Sequence, residues 1–317
     1  MNMPDWVSRY KEWWLLLGMV ILAAILTDGI YLDPGNLTDM LRSIAPIGVM
    51  AMAMTFVIIT AGIDLSVGSV LALTSVATAV LLVDVMPQAT PELAMGLAVF
   101  VSMAIGLVVG LAQGALIARL DIQPFIITLA GMIGVRGFAK LWSGNNRIGL
   151  GVDKESSAYA FGETFSSKPM MIGIFVLVAL SAHLLLKYTV FGRNVRAVGD
   201  NELAAHYAGL PVMRVKIWVY VFSGMMAGLA GLMLAARTRT GDANLGVAYE
   251  LDAIAMVVIG GTALAGGRGS IGGTVLGALI MGTVINVLGL KNVDSNVQLV
   301  LKAAIIVVAV ALQRRRA

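Results

Sequence analysis

The sequence predicts an all-α, polytopic transmembrane protein, a bundle of about ten membrane-spanning helices. Of its 317 residues, 59% are hydrophobic and only 13% are charged, whereas soluble domains carry about 25% charged residues. The mean hydropathy is +0.90, and the apolar residues form long runs of the roughly 20 residues that cross a bilayer. We therefore expect a single transmembrane domain over residues 1–317.

Apolar runs between charged residues define the predicted crossings. They are Trp13–Thr27, Ile44–Ile63, Leu65–Val83, Leu93–Ala118, Ile122–Val135, Pro169–Leu186, Ile217–Ala236, Ala253–Gly267, Gly269–Leu290 and Val297–Leu312. The fifth run reaches full length only if it continues through Arg136 to Trp142. The count ranges from eight to ten, because the first, fifth, eighth and tenth runs are short or contain charged residues.

The longest well-patterned polar interruption is Lys187–Lys216, named here the docking segment. Asp200 or Asn201 can cap a short helix, which Gly209 and the following proline would end. Such a helix at the membrane surface suits a transporter that is driven by another protein, although an ordinary polar loop is the alternative. Ten crossings would place both termini on the side of this segment. The clustered Arg314–Arg316 and the basic docking segment favour the cytoplasm for that side.

The first motif is TAGIDLSVGS, in which Gly62, Asp64, Ser66 and Gly68 interrupt apolar sequence. An ionisable group at membrane depth is a functional candidate. Asp64 could instead cap the next helix in a sharp hairpin at the membrane surface, in contact with water, and we favour that interpretation.

The second motif is the glycine-rich stretch Gly260–Gly273. Its candidate hinge residues are Gly260, Gly261, Gly267, Arg268 and Gly269. A G-x-G-x-x-G match lies within it, but no βαβ unit surrounds the glycines, so a re-entrant bend with close helix packing is the better account. The two motifs share a layout, a β-branched patch followed by a glycine turn and a small-residue helix, which hints at an internal duplication.

Polar groups inside otherwise apolar runs are the candidate pathway residues, although each could equally form a hydrogen bond between helices. They are Thr55, Thr60, Thr74, Ser75, Gln113 and Asn286. With no Cys and two His, the sequence offers no thiol chemistry, no metal site and no nucleophile–base pair. The mild positive charge is not a nucleic-acid signature. We therefore expect neither an enzyme nor a nucleic-acid-binding protein.

Four stretches carry a family resemblance, in order and across nearly the whole chain. They are TAGIDLSVGS (Thr60–Ser69), QPFIIT (Gln123–Thr128), VFGRNVRAVG with NELAAHYAG (Val190–Gly199 and Asn201–Gly209), and YELDAIAMVVIGGTALAGGRGSIGG (Tyr249–Gly273). In these stretches the sequence resembles the membrane permeases of bacterial ABC importers for monosaccharides, a family that includes the ribose, xylose, galactose and autoinducer-2 permeases.

The resemblance implies the ABC importer permease fold in the bacterial inner membrane and sugar import by alternating access. The implied partners are a second permease copy (identical or related), a periplasmic sugar-binding protein and a cytoplasmic ATPase that holds ATP and Mg. This chain itself would bind no cofactor. An ion- or proton-coupled secondary transporter, with Asp64, Arg268 or Lys302 as relay, is the rival interpretation.

The resemblance also implies that the docking segment contains the coupling helix that inserts into the ATPase. The residues assigned to this contact are Glu202, Ala204, Ala205, Gly209 and Arg193. The importer signature places Glu directly before two Ala and Gly four positions after the second Ala. Ala204, Ala205 and Gly209 fit this pattern, whereas Leu203 occupies the Glu position and Glu202 lies one residue earlier.

Overall fold

The computed structural model of the protein describes residues 11–151 and 153–314, so Arg315 and Arg316 of the basic C-terminal cluster lie outside the described residues. The α-helices are α1 Lys11–Leu26, α2 Pro34–Ile59, α3 Val67–Val80, α4 Pro91–Leu120, α5 Pro124–Trp142, α6 Ser157–Ser166, α7 Lys168–Tyr188, α8 Val190–Asp200, α9 Glu202–Tyr207, α10 Val212–Thr238, α11 Tyr249–Ile259, α12 Ile271–Leu290 and α13 Ser295–Arg314. A 3₁₀ turn, Ile30–Leu32, precedes α2, and a π-helical turn, Leu81–Val85, extends α3.

Local sequence sets where several helices begin. Proline opens α2, α4 and α5, where its missing N–H has no helical partner to lose and its fixed φ already matches the helix. Asp33 also caps α2, because its side chain accepts a 3.0 Å hydrogen bond from the backbone nitrogen of Asn36.

Seven of the helices in the described part of the chain are long and apolar enough to cross a membrane. They are α2, α3 with its π-helical extension, α4, α5, α7, α10 and α12. The fifth predicted crossing does continue through Arg136 to Trp142. The predicted continuous crossing over 253–267 is wrong, because α11 has only 11 residues and rises about 16 Å, half of the roughly 30 Å hydrocarbon core.

Helix α10 lies in the interior, where it packs along α4 on one side and α2 and α3 on others. Gly106 of α4 meets Gly224 of α10 so closely that a Cβ atom on either would overlap the carbonyl oxygen of the other. Gly228 is packed against the backbone of Ser102 in the same way. The small-residue faces of these two helices therefore serve close packing of the main chains.

Burial separates inner from outer helices. In α2, 89% of the most apolar 18-residue window is buried inside the chain, against 11% in α5. The exposed side chains of α5 include the large apolar residues Phe125, Ile133 and Phe138. A spanning helix with such a surface must face lipid or another protein chain.

The chain between α10 and α12 is only partly helical. Strand β2 (Thr240–Gly241) pairs antiparallel with β1 (Ile148–Gly149). Residues 242–248, named here the unwound segment, then run without regular structure to α11. Asp242 at its start is buried beside Ser75 of α3, and Gly246 near its end packs against Gly68 of α3. Because Ser75 and Gly68 are seven positions apart, this segment follows α3 for about two helical turns.

Candidate functional site

The docking segment forms two helices, α8 and α9, where the sequence analysis predicted one. Asn201 caps α9, because its Oδ1 accepts a 2.9 Å hydrogen bond from the nitrogen of Ala204. Gly209 ends the turn after α9 with a left-handed φ of 78°. Helix α8 was missed; Thr189 caps it, and Val195 and Val198 are buried on its inner face.

Helix α9 presents an apolar face to its surroundings. Leu203 and Tyr207 are 71% and 86% exposed and lie four positions apart, on one side of the helix. Ala205 faces inward and is buried. Exposed large apolar side chains at the polar end of a membrane protein are typical of a surface that contacts a partner protein.

The other predicted coupling residues differ in position along the docking segment. Glu202 is exposed and forms an ion pair with Lys216, which joins the start of α9 to α10. Ala204 and Arg193 are also exposed. The coupling role of all these residues remains a prediction.

The first motif contains the turn that ends α2. The nitrogen of Gly62 donates to the carbonyl of Val57 and that of Ala61 donates to Ile58, each at 2.9 Å. Ala61 has a left-handed φ of 57°. Together these hydrogen bonds form a Schellman motif, which satisfies carbonyls that the helix end would leave free.

The second motif ends α11 with the same geometry. The nitrogen of Thr262 donates to Val257 at 3.2 Å, and that of Gly261 donates to Val258 at 2.9 Å. Gly261 has a left-handed φ of 85°. The common layout seen in the two sequences thus corresponds to a common turn geometry, and each turn leads into an apolar helix with a serine at its N-cap.

The two turns meet the docking segment at a glycine junction, formed by Ile59, Gly199, Gly266 and Gly267. The nitrogen of Gly267 donates a 2.9 Å hydrogen bond to the carbonyl of Ile59. A Cβ atom on Gly199, in α8, would overlap that same carbonyl, and one on Gly266 would lie 2.6 Å from the carbonyl oxygen of Gly199. Three segments far apart in sequence therefore contact each other through main-chain atoms.

Asp64, just beyond the first turn, is buried at 1% exposure. Its Oδ1 accepts from the nitrogen and the hydroxyl of Ser66, at 3.0 and 2.7 Å, and its Oδ2 accepts from the hydroxyl of Ser223 at 2.7 Å. The Ser66 hydroxyl also lies 3.0 Å from Oε1 of Gln113. The interpretation of Asp64 as a cap in contact with water is therefore wrong: the carboxylate ties the turn to α10 inside the protein.

Comparison with known proteins identifies the family. Over residues 36–310 the chain matches the family described as "Branched-chain amino acid transport system / permease component". It is 43% identical over 299 residues to the ribose import permease protein RbsC of Bacillus subtilis (strain 168), covering 94% of this chain and 90% of that protein. The chain belongs to this permease family.

Two further relatives agree with this assignment. The permease is 36% identical over 317 residues to the ribose import permease protein RbsC of Escherichia coli (strain K12), covering 98% of this chain and 95% of that protein. It is 37% identical over 308 residues to the L-arabinose transport system permease protein AraH of the same strain, covering 95% and 91%. No solved structure matches the permease significantly. The resemblance to ABC sugar permeases is thereby confirmed.

Most of the polar residues predicted to line the pathway of the permease are buried and hydrogen-bonded to their own or neighbouring helices. This group is Thr55, Thr60, Thr74, Ser75 and Gln113. For example, Thr55 Oγ1 lies 2.7 Å from Thr274 Oγ1 and joins α2 to α12. Asn286 differs, because it exchanges two hydrogen bonds with Asn36 and lines a cavity of about 400 Å³ beside α2 and α12. A pathway role for all six stays a prediction.

Most of the predicted hinge glycines of the permease lie at tight contacts with side chains or main chain of other segments. A Cβ atom on Gly62 would lie 2.6 Å from the Tyr220 hydroxyl, and one on Gly269 would lie 2.7 Å from the Thr262 side chain. Gly68 and Gly260 are enclosed in the same way by other segments. Arg268 is exposed near the junction, so it is not buried among apolar helices.

Sequence reasoning missed several residues of the site. Ile59 contributes only its carbonyl, which no side-chain pattern reveals, and Gly199 was read simply as part of the docking segment. Arg136 of α5 donates to the carbonyls of Ala243 and Leu245. It was noted only as a charge within the fifth run, and a charged residue inside a membrane span was the signal that could have singled it out.

Proposed function

We propose that this permease is the transmembrane subunit of an ATP-driven importer that carries a monosaccharide across the bacterial inner membrane by alternating access. The relatives named above are permeases for ribose and for L-arabinose, which supports a pentose as the substrate. The observation that carries the proposal is the exposed apolar face of α9, a helix that begins three residues after Gly199 of the glycine junction that joins both hairpin turns.

The proposal includes three partners, and surfaces of the described chain support two of them. Leu203 and Tyr207 provide the contact for a cytoplasmic ATPase, which binds ATP and Mg, so the docking segment faces the cytoplasm. The exposed apolar side of α5 suits a second permease copy. A periplasmic sugar-binding protein delivers the sugar, and it supplies the selectivity.

The geometry provides a mechanical route for alternating access. When the ATPases close, α9 moves with them and displaces α8, whose Gly199 lies against the carbonyl of Ile59. Because Gly267 is bonded to the same carbonyl, the α2–α3 and α11–α12 turns shift together. Packed helices respond to such small displacements by changing between discrete arrangements, which here open the permease to one side or the other.

The rival function, ion- or proton-coupled secondary transport, would use Asp64, Arg268 or Lys302 as a relay. Asp64 accepts three hydrogen bonds, and Lys302 forms a 2.9 Å ion pair with Asp252. Arg268 is exposed. These environments give Asp64 and Lys302 structural partners and leave Arg268 outside the buried interior, which favours the ATP-driven function.

Uptake of labelled D-ribose and L-arabinose tests the proposal. It is measured in vesicles that carry the full importer and in which the supply of ATP is controlled. We expect ATP-dependent uptake of a pentose. The double variant Leu203→Asp, Tyr207→Asp should lose both this uptake and the co-purification of the ATPase. The matched control, Leu203→Ile with Tyr207→Phe, keeps the apolar surface and should keep transport. Uptake driven by a pH or sodium gradient without ATP would overturn the proposal.

A further inference from the structure

The unwound segment presents main-chain carbonyls inside the protein without a helix to satisfy them. Asp242 and Ala243 are buried, and Gly246 has a left-handed φ of 68°. In a membrane protein, irregular backbone is tolerated at depth only where protein groups or an aqueous cavity satisfy it.

The side chain of Arg136 binds three carbonyls of this segment, while the carbonyl of Asp242 accepts from the hydroxyl of Ser75 and the nitrogen of Leu245. The Nη1 atom of Arg136, on α5, donates to the carbonyls of Ala243 and Leu245 at 2.8 and 3.0 Å. Its Nη2 atom donates to the carbonyl of Gly246 at 3.5 Å. We propose that Arg136 is a positioning residue that holds the unwound segment, and with it α11, in register with α5 during transport; this inference rests on the proposed function.

The shape of the guanidinium explains why arginine occupies this position. Its five N–H donors lie in one plane and can reach three carbonyls along an extended stretch at once, whereas the lysine ammonium is a point with three donors. Its charge is balanced from the same region, because Arg136 interacts electrostatically with Glu250 and Asp242. Asp242 is itself fixed by Asn244 and by an ion pair of its Oδ2 with Arg147.

The hydrogen bonds of Arg136 join the outer helix α5 to the partly buried unwound segment that leads into α11. Among the candidate spans of the described chain, α5 has the least buried apolar window, so it is the helix most open to lipid or to a second copy. Helix α11 ends at the turn that contributes to the glycine junction. Through Arg136, a displacement of α11 by the docking segment also moves α5, at the surface where two copies would meet.

Arg147 offers a matched control, because it contacts the same segment through the Asp242 side chain while its own side chain is exposed. We would compare Arg136→Lys and Arg136→Gln with Arg147→Lys in the assembled importer. The readouts are pentose uptake, ATP hydrolysed per sugar transported, and thiol labelling of single cysteines. The natural chain has no cysteine, so Ala243→Cys and Val247→Cys each report one position with no background.

We expect both Arg136 variants to lower uptake about tenfold or more, since Arg136→Gln removes the charged donor and the Arg136→Lys ammonium cannot bond all three carbonyls at once. Both should also consume more ATP per sugar. They should also raise the labelling of Ala243→Cys towards that of Val247→Cys, whose native side chain is 62% exposed. Arg147→Lys should leave all three readouts near those of the parent.

Wild-type uptake and hydrolysis ratios in the Arg136 variants, with Ala243→Cys still protected, would overturn the inference. If those variants do not accumulate, the labelling is compared in the parent that keeps Arg136. There, labelling of Ala243→Cys as fast as that of Val247→Cys would show that the unwound segment is not held. Failure of the proposed function would appear separately, as the absence of ATP-driven sugar uptake in the parent. The labelling result does not depend on sugar uptake.

Discussion

The amide nitrogen of Gly267 donates a 2.9 Å hydrogen bond to the carbonyl oxygen of Ile59. The two residues belong to hairpin turns that are about 200 positions apart, and the bond is made entirely by the main chain. Gly199 of α8 closes on the same carbonyl. A single backbone oxygen thus connects the docking segment to both turns of the bundle.

Replacing Gly199 with alanine should destabilise this junction. A Cβ atom there would overlap the Ile59 carbonyl, which is held by Gly267 and cannot move aside as a flexible side chain would. Overpacking of this kind costs about 1–3 kcal/mol. We expect Gly199→Ala to lower the melting temperature of the purified permease and to reduce ATP-driven uptake.

Gly137→Ala is the control for that variant. Gly137 also lies in a helix, α5, but has open space where a Cβ atom would be placed. Alanine should therefore be neutral there or stabilise by about 0.5–1 kcal/mol through its better helix propensity. Equal melting temperatures for the two variants would contradict the steric account of the junction.

Local signals in the sequence predicted those features that are settled by neighbouring residues. The run Pro169–Leu186 corresponds to α7, Lys168–Tyr188, because charge-free length decides a spanning helix. The stop at Gly209 was predicted correctly, and the cap is Asn201, one of the two residues that the sequence offered, because each depends on one residue's own chemistry.

Features that depend on tertiary contact could not be predicted. Residues 253–267 have the composition of a span. The glycines of Gly260–Gly273 indicated a re-entrant bend, but that the chain leaves the helix already at Gly260 depends on its packing against α12. The burial of Asp64 likewise depends on Ser223, which lies 159 positions away. Hydropathy indicates how apolar a stretch is, but it does not indicate which distant hydroxyl donates a hydrogen bond to a carboxylate.

Asp64→Asn should destabilise the permease. The carboxylate accepts three hydrogen bonds from Ser66 and Ser223. An amide keeps only one acceptor oxygen, so the Ser223 hydroxyl loses the carboxylate oxygen to which it donates. Leaving a buried polar group unsatisfied costs about 1–3 kcal/mol. Thermal unfolding of the purified chain, followed by near-ultraviolet circular dichroism, measures this loss.

Asp39→Asn supplies the comparison for Asp64→Asn. Asp39 forms a 2.9 Å ion pair with Lys168, and both side chains are partly open to solvent. Exposed pairs of this type contribute about 0–1 kcal/mol, so the same chemical change should have little effect there. An Asp64→Asn chain as stable as the Asp39→Asn chain would refute the structural role given to the buried carboxylate.

Gly209→Pro should abolish transport and leave the membrane-embedded bundle folded. Gly209 has a φ of 78° and donates its N–H to the carbonyl of His206 at 3.0 Å. Proline fixes φ near −65° and has no N–H, so it can adopt neither feature. Because Gly209 is exposed and has open space around it, the damage is confined to the end of α9.

Gly209→Asn separates the backbone requirement from the presence of a side chain. Asparagine tolerates the left-handed region better than other residues and keeps the N–H, so most of the ATP-driven uptake should remain. Uptake and ATPase co-purification, measured side by side for the two variants, give the result. If Gly209→Pro transports as well as Gly209→Asn, then the shape of α9 is not what couples this permease to its ATPase.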